Sequence, residues 1–300
     1  MEPILRISDL SVSFNGVRAV DNVSFELFKG ETLALVGESG SGKSVTSRAI
    51  MGLLPDSATV RGRIEYNGED AFALHSRHLR GKGIAMIFQD PLASLDPLMR
   101  VGKQIAHAVR LGDKKLSRRA AKERAIELLG EVGIDLPRQR YGCYPFQLSG
   151  GMRQRVMIAV ALALEPRVLI CDEPTTALDV TVQAQVLDKI QSLKNSRGLS
   201  VLFITHDLGV VAKMADRVAV MCKGRVVEQG TDREIFYSPK HPCTRSLLFS
   251  RADTDHYKKQ KGAREDAFGA AEGFKCEDDA FEGADALWID GEVTGKNEDS

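Results

Sequence analysis

Hydrophobic residues fall along this chain in short runs of two kinds. In Ile4–Val12 and Asn22–Leu27 they alternate with polar residues or come in pairs, and Asn15-Gly16 and Lys29-Gly30 interrupt them. Short strands joined by tight turns give that texture. Thr32–Val36 is continuous instead, as in a parallel-sheet strand buried on both faces. It leads into a Gly/Ser-rich loop and an expected helix over Lys43–Leu54, ended at Pro55. Arg63–Asn67 adds a second antiparallel piece, closed by Asn67-Gly68. From about Pro91 to Pro166 the pattern turns helical. Ser117 is placed to cap a helix over Arg118–Leu129, with Ala121, Ala125, Leu128, Leu129 and Val132 as its apolar positions and Gly133 as its stop. Short apolar runs return at Arg167–Cys171 and Ser200–Thr205, separated by a helix expected over Val180–Lys194. Strand, loop and helix, then a helical insertion, then strand–helix alternation predict an α/β fold carrying an inserted helical subdomain. Past Arg251 periodicity fades among Gly, Ala, Asp and Glu. The expected organisation is one domain over 1–250, its helical part at about 91–166, and an acidic, poorly ordered tail over 251–300.

Composition changes this picture in three ways. No apolar run reaches the roughly 18–20 residues that span a bilayer, and Val156–Leu164 is far shorter. The N-terminus lacks a basic stretch followed by an apolar one, so a chain residing in the cytosol is expected. The formal net charge of zero hides an asymmetry, for residues 265–300 hold 12 acidic and 2 basic residues, while the preceding 264 hold 39 basic and 29 acidic. A basic body suits nucleotides, acidic lipid or nucleic acid alike. Finally, Cys143, Cys171, Cys222, Cys243 and Cys276 are scattered without a C-x-x-C pair, which predicts reduced thiols rather than a disulfide framework or zinc site.

The candidate chemistry begins at Gly37-Glu38-Ser39-Gly40-Ser41-Gly42-Lys43-Ser44. These residues fit G-x-x-x-x-G-K-[ST], with the strand before and the helix after that the motif requires. Glycines let successive N–H groups turn toward phosphate oxygens, and the helix start adds partial positive charge. Lys43 is placed for the β- and γ-phosphates, and the Ser44 hydroxyl for Mg²⁺. Val168–Glu173 then delivers two carboxylates at a strand end. Asp172 can hold Mg²⁺, and Glu173 can orient or deprotonate an attacking water. Alone, that segment could equally be a strand ending in an acidic helix cap. Ser149-Gly150-Gly151 opens an expected helix over Met152–Leu164 and offers a hydroxyl, free N–H groups and a dipole end. A second anion site beside a single phosphate loop makes sense if it serves another molecule, which points to a head-to-tail dimer.

With these segments in this order, the chain resembles the ATPase subunits of ABC transporters. That resemblance implies further roles. Gln89, after the strand Ala85–Phe88, matches the Q-loop glutamine, a Mg²⁺ ligand and link to the helical insertion, and Asp179 matches the D-loop. His206 matches the switch histidine, and Phe14 the aromatic that stacks on adenine. Each taken singly has a plain structural reading, and their joint order and spacing reverse it. The implied architecture is a P-loop NTPase of the ABC ATPase type with an antiparallel β subdomain. Met86–Pro91, Ser94–Pro97, Met99–Gly102, Gly150–Met157, Asp172–Gln185 and Gln229–Pro242 are similar to the oligopeptide, dipeptide and nickel importers, over roughly residues 3–250.

The resemblance implies an ATP- and Mg²⁺-dependent subunit at the cytoplasmic face of the inner membrane. Its expected partners are a second ATPase subunit, identical or related, two membrane permeases and an extracytoplasmic substrate-binding protein. Di- and oligopeptides are the expected cargo, with nickel, metallophores or opines as the alternative. Many peptide importers of this kind carry a cysteine-rich iron–sulfur motif. Here Cys276 stands alone after Cys243, short of four thiolates, so no cluster is expected. A rival class is the non-transport ABC ATPase acting on DNA or ribosomes, which carries two such domains or a long coiled-coil insertion. The single P-loop and the compact interval from Lys43 to Ser149, without sustained heptads, disfavour a nucleic-acid partner.

Overall fold

The structure is a computed structural model that describes residues 2–71, 79–176 and 178–249. The expected tail over 251–300 lies outside these residues. The chain opens with β1 (Pro3–Phe14), β2 (Val17–Phe28) and β3 (Thr32–Val36), followed by α1 (Lys43–Ile50). Helix α1 stops short of Leu54, because Gly52 takes a left-handed φ of 60° and turns the chain. Next come β4 (Ala58–Tyr66), β5 (Glu69–Asp70) and β6 (Ile84–Ile87). The helical stretch contains α2 (Pro91–Ser94), α3 (Val101–Gly112), α4 (Arg118–Glu131), α5 (Pro137–Arg140) and α6 (Gly150–Leu162). Ser117 caps α4 by accepting from the Ala120 N–H, as its position in the sequence predicts.

After β7 (Val168–Asp172), α7 (Val180–Arg197) and β8 (Ser200–Thr205) come five further elements. They are α8 (Leu208–Met214), β9 (Arg217–Cys222), β10 (Arg225–Thr231), α9 (Asp232–Tyr237) and α10 (Pro242–Phe249).

Among the described residues the strands form two sheets. One is antiparallel, in the order β2-β1-β4-β5, and the other runs β10-β9-β3-β8-β7-β6 with only β10 antiparallel to its neighbour. The central strands β3, β6, β7 and β8 are buried at every position, which is why their sequences are continuous rather than alternating. Successive side chains still point to opposite faces. Leu169, Cys171, Val201 and Phe203 join a core built with α3, α4, α6 and α7. Val168, Ile170, Leu202 and Ile204 join another, built with the antiparallel sheet and α1. The central sheet is thus the middle of three layers, and burying both its faces supplies the main driving force for folding.

The antiparallel sheet contains one strained approach. Asp9 has φ 52° within β1, and the β1–β4 register shifts between Ser8 and Ser11. Opposite it, Gly62 has φ 102°, and a Cβ there would meet the Asp9 carbonyl oxygen at 2.5 Å. Gly62→Ala is expected to destabilise the fold by about 2 kcal/mol or more, a fall in Tm of roughly 4–8 °C in thermal unfolding. An unchanged Tm would mean that the bulge relaxes without cost.

Cys222 and Cys243 correct the sequence-based expectation of reduced thiols. The structure joins them in a disulfide, while Cys143 and Cys171 are free. Spacing rules miss the pair because the two residues lie 21 apart in sequence and meet only when α10 folds back onto the β9–β10 hairpin.

Candidate functional site

Parallel order and register bring the motifs together. In the sequence β3, β8, β7, β6 across the sheet, Val36 lies beside Thr205, Ile204 beside Asp172, and Cys171 beside Ile87. The residues that follow these strand ends therefore emerge along one edge, the carboxyl end of the sheet. In α/β proteins ligands bind there.

The phosphate loop leaves β3 and closes on α1. Gly42 takes φ 100° at the helix start, with the Ala19 carbonyl oxygen 2.8 Å from where a Cβ would sit. At Gly37 a Cβ would fall 2.2 Å from the Met221 carbonyl oxygen. Both positions need glycine because backbone from β2 and β9 packs directly on the loop. Lys43 is buried, and its Nζ donates to the carbonyls of Gly37 and Glu38 at 2.8 Å each. A buried ammonium must be hydrogen-bonded, and here it braces the ring of backbone that would receive a phosphate.

Ser44 Oγ donates to Asp172 Oδ1 at 3.0 Å, and Ser47 Oγ to Oδ2 at 3.3 Å. Burial pushes the Asp172 carboxyl above its usual range, against the hydrogen bonds from Ser44 and Ser47 and the charge of Arg48. A hydroxyl and a desolvated carboxylate side by side are hard oxygen donors of the kind Mg²⁺ takes.

Glu173 stands one residue further at φ 45°, a conformation uncommon outside glycine. Its N–H still extends the β7–β8 ladder to the Ile204 carbonyl, at 2.9 Å. Three side chains hold its carboxylate. His206 Nδ1 lies 3.0 Å from Oε1, Thr176 Oγ1 donates to Oε2 at 2.9 Å, and Gln89 Nε2 donates to Oε2 at 3.1 Å. Burial opposes the charged form, but hydrogen bonds from His206 and Thr176 and the charges of His206 and Lys43 outweigh it and hold the carboxyl below its usual range. Gln89 therefore meets Glu173 rather than the Ser44–Asp172 pair. Strain and convergent polar groups at one carboxylate mark a functional position.

Two partners in this cluster are not evident from the motifs, Ser47 and Thr176. Ser47 lies one helical turn after Ser44, and Thr176 three residues after Glu173, so spacing alone could have nominated both. Thr176→Val keeps shape and removes one donor to Glu173. We expect the turnover number to fall about threefold to thirtyfold with KM for ATP unchanged, read from steady-state hydrolysis. Equal loss in KM would mean that Thr176 serves binding instead.

Elsewhere, Ser149 caps α6 by accepting from the Met152 N–H at 3.3 Å, and Asp179 caps α7 by accepting from Val182 N–H at 2.9 Å. These two helix starts touch each other. A Cβ on Gly151 would meet Val182 Cγ1 at 2.3 Å, and one on Gly150 would lie 3.5 Å from Leu178 Cδ2. The Ser149 and Asp179 side chains thus each bond within their own helix start, to Met152 and Val182. Phe14 ends β1 half-buried against the core of the antiparallel sheet. Its hairpin partner β2 supplies the Ala19 carbonyl at Gly42, so the hairpin flanks the loop. Glu38, Ser39 and Gly40 lie exposed on the outer side of that loop.

Comparison with known proteins agrees with this geometry. The profile of the ABC transporter family matches residues 20–176. The oligopeptide transport ATP-binding protein OppD of Bacillus subtilis is 55% identical over 82% of this chain and 71% of its own length. The dipeptide transport ATP-binding protein DppD of the same organism is 52% identical over 83% of this chain and 77% of its own. Among solved structures, the ATP-binding cassette MJ0796, a dimer in a post-hydrolysis state with ADP and Pi, superposes with a TM-score of 0.67 at 27% identity, covering 76% of this chain and 99% of that one. On the matched profile, the shared identity and the assembled phosphate-loop site together, the chain belongs to the ABC transporter family.

Proposed function

We propose that this chain is the ATP-hydrolysing subunit of an importer of di- and oligopeptides. The observation that carries this reading is one assembled edge: Lys43 and Ser44 against Asp172, with Glu173 held by His206, Thr176 and Gln89. The peptide cargo is supported by the similarity to proteins named for oligopeptide and dipeptide transport. ATP is cradled by the backbone of Gly37–Gly42, with Lys43 exchanging its carbonyl partners for phosphate oxygens and Phe14 packing on the base. Ser44 and Asp172 would hold Mg²⁺, and Gln89, whose Nε2 is engaged by Glu173, would add its amide oxygen. The ion supplies charge neutralisation at the β- and γ-phosphates when bound.

Glu173, ionised at neutral pH, accepts a hydrogen bond from the attacking water and fixes its line of approach, while His206 keeps the carboxylate in place and adds a donor beside it. Catalysis of this kind is mainly positioning and electrostatics. Two ATPase subunits, identical or related, pair so that Ser149–Gly151 of each faces the nucleotide of the other, with Asp179 at the seam. Gln89 connects Glu173 to the helical stretch that begins at α2, which carries the stroke to two membrane permeases. The subunit works at the cytoplasmic face of the membrane, and an extracytoplasmic binding protein delivers the cargo.

The reading is tested with the subunit, its ATPase partner and the two permeases in liposomes. Peptide-loaded binding protein should raise ATP hydrolysis several-fold over the unloaded protein. Stimulation by nickel chelates or opines, with none by peptides, would overturn the assignment of cargo and leave the ATPase reading intact.

A further inference from the structure

The Cys222–Cys243 disulfide lies against the phosphate loop through its immediate neighbours. Cys222 is the last residue of β9, and Cys243 sits in the first turn of α10, with Cα atoms 6.5 Å apart. On one side of Cys222, the Met221 carbonyl oxygen packs on Gly37, its methyl on Gly42, and its sulfur lies 3.9 Å from Thr46 Oγ1. On the other side, the Gly224 N–H donates to the Ser41 carbonyl at 3.1 Å, and the Gly224 carbonyl accepts from Asp21 N–H at 2.8 Å. The turn that carries Cys222 is therefore part of the wall of the nucleotide site. Cys243 belongs to a different support. The start of α10 is pinned to β10 by Glu228, which accepts from the N–H groups of Lys240 at 2.8 Å and His241 at 3.0 Å. The bond ties the loop's wall to an anchored helix. Both cysteines are half-buried, whereas Cys171 is fully enclosed, so the pair is not sealed in the core.

We propose that Cys222 and Cys243 form a reversible thiol–disulfide site whose state sets ATP affinity through the 221–224 turn, with low-molecular-weight disulfides as oxidant and thiols as reductant. ATP is an intracellular nucleotide, and thiol pools keep most intracellular cysteines reduced, so a pair built to bond here is built to switch. In the oxidising direction one cysteine thiolate attacks the disulfide R–S–S–R, forming a mixed disulfide and releasing one thiol. The second thiolate displaces the other R–S group. Two electrons pass from the cysteines to the oxidant, and the two thiol protons end on the two released R–SH. With the bond closed, the wall at Gly37, Ser41 and Gly42 is held in place, and preorganisation favours binding. Linkage makes the effect reciprocal, so bound ATP favours the closed bond by the same factor.

The inference rests on the phosphate loop as the ATP site, and the experiment separates the two. The full chain is equilibrated with oxidised or reduced glutathione, the bond is scored by thiol alkylation and mass spectrometry, and ATP affinity is titrated under non-hydrolysing conditions. The expected result is a Cys222–Cys243 bond in the oxidised sample and ATP binding weakened about fivefold on reduction. Cys243→Ser should bind ATP like the reduced protein under both conditions, and Cys143→Ser should keep the difference. ATP should also lower the oxidised glutathione needed for half-closure by the same factor as the affinity change. Failure to form the bond, capture of glutathione by single cysteines only, or equal affinity in both states overturns the proposal. Absence of ATP binding in either state would instead refute the site. If Cys243→Ser does not fold, the comparison of oxidised with reduced wild-type protein and the half-closure shift still decide.

Discussion

Glu173→Gln should leave ATP binding intact and lower turnover by roughly 10²–10⁴-fold. The substitution keeps the size of the side chain and its capacity to accept from Thr176 and Gln89, which approach Oε2 at 2.9 and 3.1 Å. It removes the negative charge that His206 and Lys43 favour, and with it the basic site proposed for the water proton. Nothing in the contacts of Lys43 or Ser44 with the loop and Asp172 depends on that charge, so affinity should change little. Because the lesion is confined to the chemical step, the variant should accumulate as an ATP-bound closed pair, visible by size-exclusion chromatography with nucleotide. Undiminished steady-state hydrolysis would reject Glu173 as the group that orients water. Loss of both binding and hydrolysis would point to a collapsed loop, which the strained φ of 45° at Glu173 makes a specific alternative to check by thermal unfolding.

Much of this site was legible in sequence because its parts are local. The phosphate loop needs glycines at fixed offsets from a strand and a helix, and Thr32–Val36 and Lys43 lie where that geometry demands. Fully buried strands announce themselves as apolar runs, so β3 and β8 were readable to the residue. Caps with a side-chain acceptor, such as Ser117, were readable for the same reason. The elements after Thr205 were harder, since β10 is half exposed and its pattern is mixed, and an edge strand takes its identity from its partner β9 rather than from its own residues.

Long-range pairings escaped for a different reason. The Cys222–Cys243 bond, the packing of Met221 on Gly37 and the approach of Ala19 to Gly42 join segments far apart in the chain. No local pattern encodes which backbone will close over the loop. Gln89 illustrates the boundary between the two cases. Its place at the end of β6 follows from sequence, but its hydrogen bond to Glu173, 84 residues away, follows from strand order in the sheet.

Mixing two inactive variants should restore hydrolysis if, as proposed, each site is shared between chains. Ser149 and the first N–H groups of α6 form a helix start of the kind that can receive an anion, and within one chain Gly150 and Gly151 pack against Leu178 and Val182 at the entry to α7. Ser149 is exposed, so a second subunit can bring its nucleotide to it. In a two-fold pair, Lys43→Ala disables the loop of its own chain, while Ser149→Arg places bulk and positive charge over the loop of the partner. Each variant alone carries one lesion in both sites. A mixed dimer places both lesions in one site and leaves the other complete. If equal amounts assort at random, about half of the dimers are mixed and about a quarter of all sites are intact, which sets the expected recovery when sites fire independently. Were Ser149 to act on its own chain's nucleotide, each chain of a mixed dimer would carry a lesion in its own site and the mixture would stay dead. The measurement is steady-state hydrolysis of each variant and of the mixture, with dimers verified by light scattering. If the native partner is a related ATPase, the Ser149→Arg lesion is placed at the corresponding serine of that partner. Recovery identifies the facing Ser149–Gly151 segments as the second half of each site, and no recovery in verified dimers rejects the shared arrangement.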